Sequence, residues 1–415
     1  MSWGASIKEK AKMSHILSSK CPKAKKTSRL ILRVSSEAHQ GGRKCMEDFT
    51  SILFDRQHIG KDIGQAFIAV FDGHGGREAA VFARSRLWET IKKQRGFYSS
   101  DPEHVVKAIK EGFMATHRSM WKVLENWPKT RHGLPSTSGT TVTVIIIRGH
   151  KMFVAHVGDS GAVLASKEPG TKRLEAYPLT DDHKPEAPHE KRRIEDLGGS
   201  VLARNGVYRV AWERPVCHGH RGPMRRSTKT ERVPFLAVSR SLGDLWSFDY
   251  FRGEFVVSPV PDVKVYTINP ATDKHVILAS DGLWGVVQPD DAVRCVSDTL
   301  RNHDDLLSSD LSHRLVSKAL SRWRARKLRA DNTSVIVVSF EDGGVKHDPK
   351  PTPEGLDNQT DTDTASDVTT VLSRESSTTG NPPLQDSNRP PLVRKVAFYC
   401  TDIPQLPTVG STENV

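Results

Sequence analysis

Short apolar runs and longer periodic stretches alternate through the middle of this chain. The β-rich runs fall at Ile31 to Val34, Ala66 to Phe71, Val142 to Ile147, Met152 to Val157, His275 to Ala279 and Val335 to Phe340. Each has the length of one strand. Between them, Arg77 to Lys92 and Pro102 to Leu124 carry apolar residues at helical spacing, which predicts two helices. Val142 to Ile147 is nearly all apolar, the pattern of a strand in a sheet covered on both faces. Strands at the start, with two helices after the third, argue for an α+β layered fold rather than a βαβ repeat.

The pattern fades at both ends. In residues 1–28, Lys8, Lys10, Lys12, Lys20, Lys23, Lys25 and Lys26 face a single acid, Glu9. A basic, disordered arm is expected there, with an import-type or anion-binding patch at Lys23, Lys25 and Lys26. Residues 29–341 form the globular region. Residues 342–415 turn rich in Pro, Ser, Thr and Asp and are expected to be a disordered tail.

Composition narrows the function. Hydrophobic residues make up 36% of 415, enough for a sizeable core over part of the length. The net charge of +12 favours anionic partners: nucleic acid, acidic membrane or phosphorylated protein. Neither a DNA-binding module nor an interleaved basic and aromatic motif is present, so no specific nucleic-acid partner is expected. No stretch approaches the roughly 18 apolar residues of a membrane span, and the basic start has no apolar leader segment. Membrane association and secretion are therefore not expected. Five scattered cysteines without a CxxC pair fit reduced thiols in the nucleus or cytoplasm.

One local pattern carries chemistry. An apolar run ends in Asp, often followed by Gly: Asp72 in "FIAVFDGHGG", Asp281 in "VILASDGLWG", Asp159 in "MFVAHVGDSG". Asp331 precedes a strand in "ADNTSVIVVSF", and Glu47 and Asp48 follow the first strand. Asp-Gly is also an ordinary turn dipeptide, so one such exit says little. Several in one chain can converge, because strand ends in a sheet lie side by side. Clustered carboxylates repel, and hard divalent cations such as Mg²⁺ or Mn²⁺ offset that charge. Gly73 and Gly282 are expected to let backbone approach such ions. The pattern predicts a two-metal hydrolytic site.

The ordered set "GGRKCMED", "FDGHGG", "STSGTT", "AHVGDSG", "LAVSRSLGD", "SDGLW" and "ADNTS" resembles the PPM (type-2C) family of metal-dependent protein serine/threonine phosphatases. The resemblance covers about residues 29–341. It implies a four-layer αββα sandwich, two antiparallel sheets flanked by helices, with two or three Mg²⁺ or Mn²⁺ at one end. Carried over by position, Asp72 bridges two ions, Gly73 ligates one through its carbonyl, and Asp281 and Asp331 hold the other. Glu47 and Asp48 bind metal-held water, and Asp159 and Asp244 match weaker or outer positions. Arg43 grips the substrate phosphate, for which a planar guanidinium fork is suited. His74 is the general acid for the departing serine or threonine oxygen. Two cations make water a nucleophile near neutral pH.

Two longer stretches, "ATHRSMWKVLENWPKTRHGLPSTSGTT" and the segment from Arg214 to Pro259, resemble the Wip-type (delta) branch, a DNA-damage-induced nuclear phosphatase. The branch resemblance implies nuclear localisation and a negative role in stress signalling and the cell cycle. It also implies substrates phosphorylated at pT-x-pY or at pS/pT followed by Gln. A basic loop at 213–232 would read them through Arg214, Arg221, Arg225, Arg226 and Lys229. The bland alternative is a solvated loop. The Pro-rich insertion of that branch is missing between the second and third strands. A monomer acting on phosphoproteins is expected. The alternatives are an inactive scaffold of the same fold, or a phosphatase of another pathway.

Overall fold

Side chains along Ile63–His74 alternate between two environments. Phe67, Ala69 and Phe71 enter one buried cluster, while Ala66, Ile68 and Val70 enter another. A two-residue period with both faces buried makes this strand the interior of a layered stack.

The computed structural model describes residues 30–343, apart from 57–62, 132, 169, 172, 217–226, 251 and 302–308, together with 396–400. The chain opens with strands β1 (Leu30–His39), β2 (Phe49–Arg56) and β3 (Ile63–His74), then helices α1 (Glu78–Lys92) and α2 (Pro102–Trp121). Next come β4 (Gly139–Arg148), β5 (Lys151–Val157), β6 (Gly161–Lys167), β7 (Leu174–Pro178), α3 (Pro188–Asp196), β8 (Val201–Arg204), β9 (Val207–Pro215) and β10 (Thr230–Leu236). Three short strands follow, β11 (Leu242–Gly243), β12 (Phe248–Asp249) and β13 (Glu254–Phe255), then β14 (Asp262–Thr267) and β15 (Asp273–Ala279). The last elements are α4 (Asp281–Trp284), α5 (Pro289–Arg301), α6 (Ser309–Ala325), β16 (Thr333–Asp342) and β17 (Val396–Cys400).

The strands form two antiparallel halves. One runs β14-β5-β4-β3 with β2 also on β3; the other runs β1-β16-β15-β6-β7. Between the halves lie Leu32, Val34, Ile68, Ile145, Leu278 and Ile336, among others. On the outer face of the first half, Phe67, Phe71 and Val144 pack on Leu87, Ile109 and Phe113 of α1 and α2. On the outer face of the second, Ile277 and Val335 pack on Val293, Leu315 and Ala319 of α5 and α6. The result is the expected helix–sheet–sheet–helix stack. Helix α2 starts where local chemistry dictates: Asp101 caps the Glu103 amide at 3.0 Å, and Pro102 takes the first helical position.

Two features depart from expectation. Val396–Cys400 forms a strand inside the segment expected to be disordered, antiparallel to β1 from Leu30↔Cys400 to Val34↔Val396. The run "VAFYC" is β-branched and aromatic, and β1 offers it an open edge. The expected basic loop is partly strand, because β9 and β10 pair with β8 as a separate three-stranded sheet. Arg214 sits in β9 opposite Glu231, and Lys229 is exposed just before β10. Arg221, Arg225 and Arg226 lie outside the described residues, as does the arm at 1–28.

Candidate metal centre

Strand pairing delivers the acids to one end of the stack. In the ladders, His39 faces Thr333, His74 faces Gly139, and Ala279 faces Gly161. Asp72 therefore lies near the end of β3, Asp159 in the β5–β6 turn, Asp281 just after β15, and Asp331 just before β16. Carboxylate oxygens of Asp72, Asp159 and Asp281 all lie within 4.8 Å of one another. Burial, followed by repulsion from Asp48 and Asp281, pushes the Asp72 carboxyl well above the usual range. Asp281 is pushed up to about 7, by burial first and then by Asp159 and Asp331. Asp48 rises to about 6, chiefly through burial, although Ser280 Oγ donates to it at 2.8 Å. Asp72, Asp281 and Asp48 all resist ionising where they are crowded, which fits a multivalent cation at the site, and an all-oxygen set fits Mg²⁺ or Mn²⁺.

The other expected residues surround this group. Asp331 acts on Asp72 and Asp281 through its charge, and its Oδ2 accepts from Nη2 of the exposed Arg43. Glu47 Oε1 accepts from the Gly76 amide at 3.0 Å, joining the first loop to the turn after Asp72. The two glycines also pack tightly against neighbouring backbone. A Cβ on Gly73 would stand 2.4 Å from the Glu47 carbonyl oxygen, and one on Gly282 would stand 1.9 Å from that of Asn332. Both let one protein segment lie against another, which sets the spacing of the acids.

Asp244 stands apart from the converging carboxylates. It is fully buried, and its Oδ2 lies 2.7 Å from His74 Nε2. Burial works to lower the His74 pKa, but the charge and hydrogen bond of Asp244 outweigh it, with Asp159 and Glu47 adding to the rise. The net direction is upward, towards the protonated ring that a proton donor needs.

Sequence reasoning missed two supports. Asn332 donates from Nδ2 to the carbonyls of Gln40 (2.8 Å) and Cys45 (3.1 Å), and accepts from the Glu47 amide at 2.8 Å. It clamps the loop bearing Arg43, Glu47 and Asp48. Lys184 donates from Nζ to Asp159 Oδ2. Their motifs, "ADNTS" and "DDHKP", were the available signals.

A second cluster, His156, His183 and Asp262, also brings ligand-type atoms within 4.8 Å. Its protons are already committed. The Gly158 amide donates to His183 Nδ1 at 3.1 Å, which leaves Nε2–H to donate to Asp262 at 3.1 Å. A cation on that Nε2 would require the ring to lose both protons. Arg240 also donates to Asp262 at 2.8 Å. The cluster is a satisfied network that fixes the turn before Asp159.

The sequence profile of the Protein phosphatase 2C family matches residues 32–333. The chain belongs to this family. Human "Protein phosphatase 1E" is 34% identical over 300 residues, which span 72% of this chain and 32% of that protein. Bovine "Protein phosphatase 1L" is 31% identical over 306 residues, 72% of this chain and 70% of that protein. Among solved structures, a serine-threonine phosphatase 2C from Toxoplasma gondii superposes with a TM-score of 0.60 at 24% identity, covering 75% of this chain and 95% of that one. A C. elegans sex determining protein gives 0.56 at 25% identity, covering 74% and 64%. Both structures share the fold of this chain. The protein phosphatase 2C family is metal-dependent, in keeping with the oxygen donors gathered at one end of the stack.

Proposed function

We propose that this protein hydrolyses phosphoserine and phosphothreonine in proteins. The observation that carries the reading is the convergence of Asp72, Asp159 and Asp281 beside Arg43 and His74. Asp72 and Asp281, with Asp159 or Asp331, would hold the cations. Bound divalent cations supply positive charge against the phosphate and bring the pKa of water towards neutrality. Arg43 is exposed at the rim and can turn its fork to the phosphate oxygens. His74 holds Asp244 through Nε2, so the proton it delivers to the departing oxygen comes from Nδ1. Turnover of a phosphothreonine peptide with Mg²⁺ or Mn²⁺, lost with EDTA and restored by the cation, is the expected result. No turnover with either cation would favour an inactive scaffold.

The motif resemblance supports a finer reading: a nuclear, monomeric, Wip-type regulator of DNA-damage and cell-cycle signalling, acting on pT-x-pY or pS/pT-Q sites. Arg214 and Lys229 flank the segment between β9 and β10 that would read the second phosphate or the neighbouring residues. Comparing kcat/KM for singly and doubly phosphorylated peptides tests this reading. Equal values for both would remove it.

A further inference from the structure

The Asp244 carboxylate receives three donors. Oδ2 takes His74 Nε2 at 2.7 Å and Ser241 Oγ at 2.5 Å, while Oδ1 takes Trp246 Nε1 at 2.8 Å. Its backbone lies in the left-handed region, with φ 49° and ψ 39°. Asp tolerates that region better than most residues, but it still costs about 1 kcal/mol. The opposite wall is also shaped for the pair. A Cβ on Gly139 would stand 2.0 Å from Asp244 Oδ2 and 2.4 Å from His74 Nε2. A left-handed aspartate and a bare glycine are both needed to bring His74 and Asp244 together across 170 positions of sequence.

Trp246 faces two ways. Its N–H holds Asp244, and its ring packs on Trp212 of β9 and Phe235 of β10, with centroids 5.7 and 4.9 Å away. Trp212 and Phe235 also touch each other, at 5.2 Å. Both belong to the small sheet beside the main stack, together with the cationic positions Arg214 and Arg232. One side chain therefore joins that sheet to the carboxylate that orients the imidazole. Burial strengthens the link, because a buried acceptor that loses a donor is costly.

We infer that Trp246 is a positioning residue for His74, acting through Asp244, and that it ties the β8–β9–β10 sheet to proton delivery. The inference rests on the phosphatase reading with His74 as proton donor. When the indole N–H holds Oδ1, the carboxylate keeps Oδ2 towards Nε2, and the imidazole stays turned with Nδ1–H free for the leaving oxygen. The proton passes from Nδ1 to the serine or threonine oxygen as its bond to phosphorus breaks. A leaving group that needs no proton is indifferent to this arrangement.

Trp246→Phe keeps a ring against Trp212 and Phe235 while removing the N–H, along with the volume of three ring atoms. The expected result is a fall of about 5- to 20-fold in kcat on a phosphothreonine peptide, since one buried hydrogen bond is lost. KM should change less than about twofold, and p-nitrophenyl phosphate turnover should fall less than about twofold. Trp212→Leu loosens the ring contact alone and should show the same leaving-group selectivity in smaller measure. His74→Ala is the reference. If His74→Ala lowers both substrates equally, the proton-donor reading fails. If it is selective but Trp246→Phe is not, the positioning role is overturned while the phosphatase reading stands. If Trp246→Phe is selective and Trp212→Leu matches wild type, the tie to the small sheet is overturned.

Discussion

Arg43 donates from Nη2 to Oδ2 of Asp331, so the guanidinium expected to grip phosphate is bonded to a carboxylate expected to hold a cation. The two functions share one oxygen. Arg43→Ala should raise KM for phosphopeptides about tenfold through loss of a charge-assisted contact. The same change frees Asp331 from a competitor. The Mg²⁺ concentration for half-activation should then drop about two- to fivefold, the scale of a partly exposed ion pair. Magnesium titrations of both proteins at saturating substrate check this. An unchanged half-activation would mean that the pair does not compete with the cation.

The acidic cluster predicts opposite effects on stability and activity. Asp281 has its pKa raised to about 7, with burial as the largest cause. For a carboxyl raised in the fold, the penalty is absent below the unfolded value and grows as pH rises through about 7. At pH 8 in EDTA, Asp281→Asn should therefore melt higher than wild type. A gain of about 1–2 kcal/mol, or roughly 2–8 °C, is expected. In saturating Mg²⁺ the order should reverse, because wild type gains binding energy that the variant lacks. Phosphatase activity of the variant should fall at least about 100-fold. Calorimetry in the two buffers is the measurement, and a variant less stable in EDTA would contradict the repulsion argument.

Asn332 makes three hydrogen bonds to the loop from Gln40 to Glu47. Asn332→Ala strands the Glu47 amide and two carbonyls, at a cost of about 1–3 kcal/mol for each group that stays buried. Melting should drop by several degrees. The KM for phosphopeptide and the Mg²⁺ requirement should both rise, because Arg43 and Asp48 ride on that loop. A variant with a lower melting point but wild-type KM and Mg²⁺ dependence would reduce Asn332 to a structural role.

His275 is buried in β15, with its Nδ1 2.8 Å from Ser339 Oγ. Burial, aided by Lys274, lowers its pKa to about 4. Between about 4 and the unfolded value near 6.5, the unfolded chain binds a proton that the fold refuses. Stability should therefore rise with pH across that window, by up to about 1.4 kcal/mol per pH unit for this one group. Urea midpoints from pH 4.5 to 7 should show a shallower slope in His275→Gln than in wild type. Identical slopes would show that His275 is not the group responsible.

The layers were legible because burial on both faces leaves a local signature. Val142 to Ile147 could be read as a covered strand without any partner in view, and β4 is buried from Gly139 to Ile147. The acids were legible individually, as strand exits. Their convergence depends on ladder register, such as Ala279 against Gly161, which no local window contains. The partner of His74 was out of reach for the same reason. Asp244 closes the motif "LAVSRSLGD", but only the approach of β11 to β4 brings it to His74. Within the basic loop expected at 213–232, the run of cations hides the end of β9 and the start of β10, which pair only across the segment between them. β17 was missed because five residues beyond a long polar tract give too short a pattern to stand out.

The pairing of β1 with β16 also constrains how the protein comes into being. His39 meets Thr333 and Leu30 meets Asp342, so β1 is completed by a strand about 300 residues further along the chain. During synthesis β1 must wait, with an apolar face exposed, until nearly the whole globular region has left the ribosome. Contacts this distant in sequence slow folding and lengthen the time in which loose strand edges can find wrong partners. A permuted chain that begins at Thr333, with a short linker from Asp342 to Leu30, would turn this late closure into an early hairpin. It should refold faster and aggregate less, although the new ends fall beside Asp331 and Asn332, so cation binding should weaken.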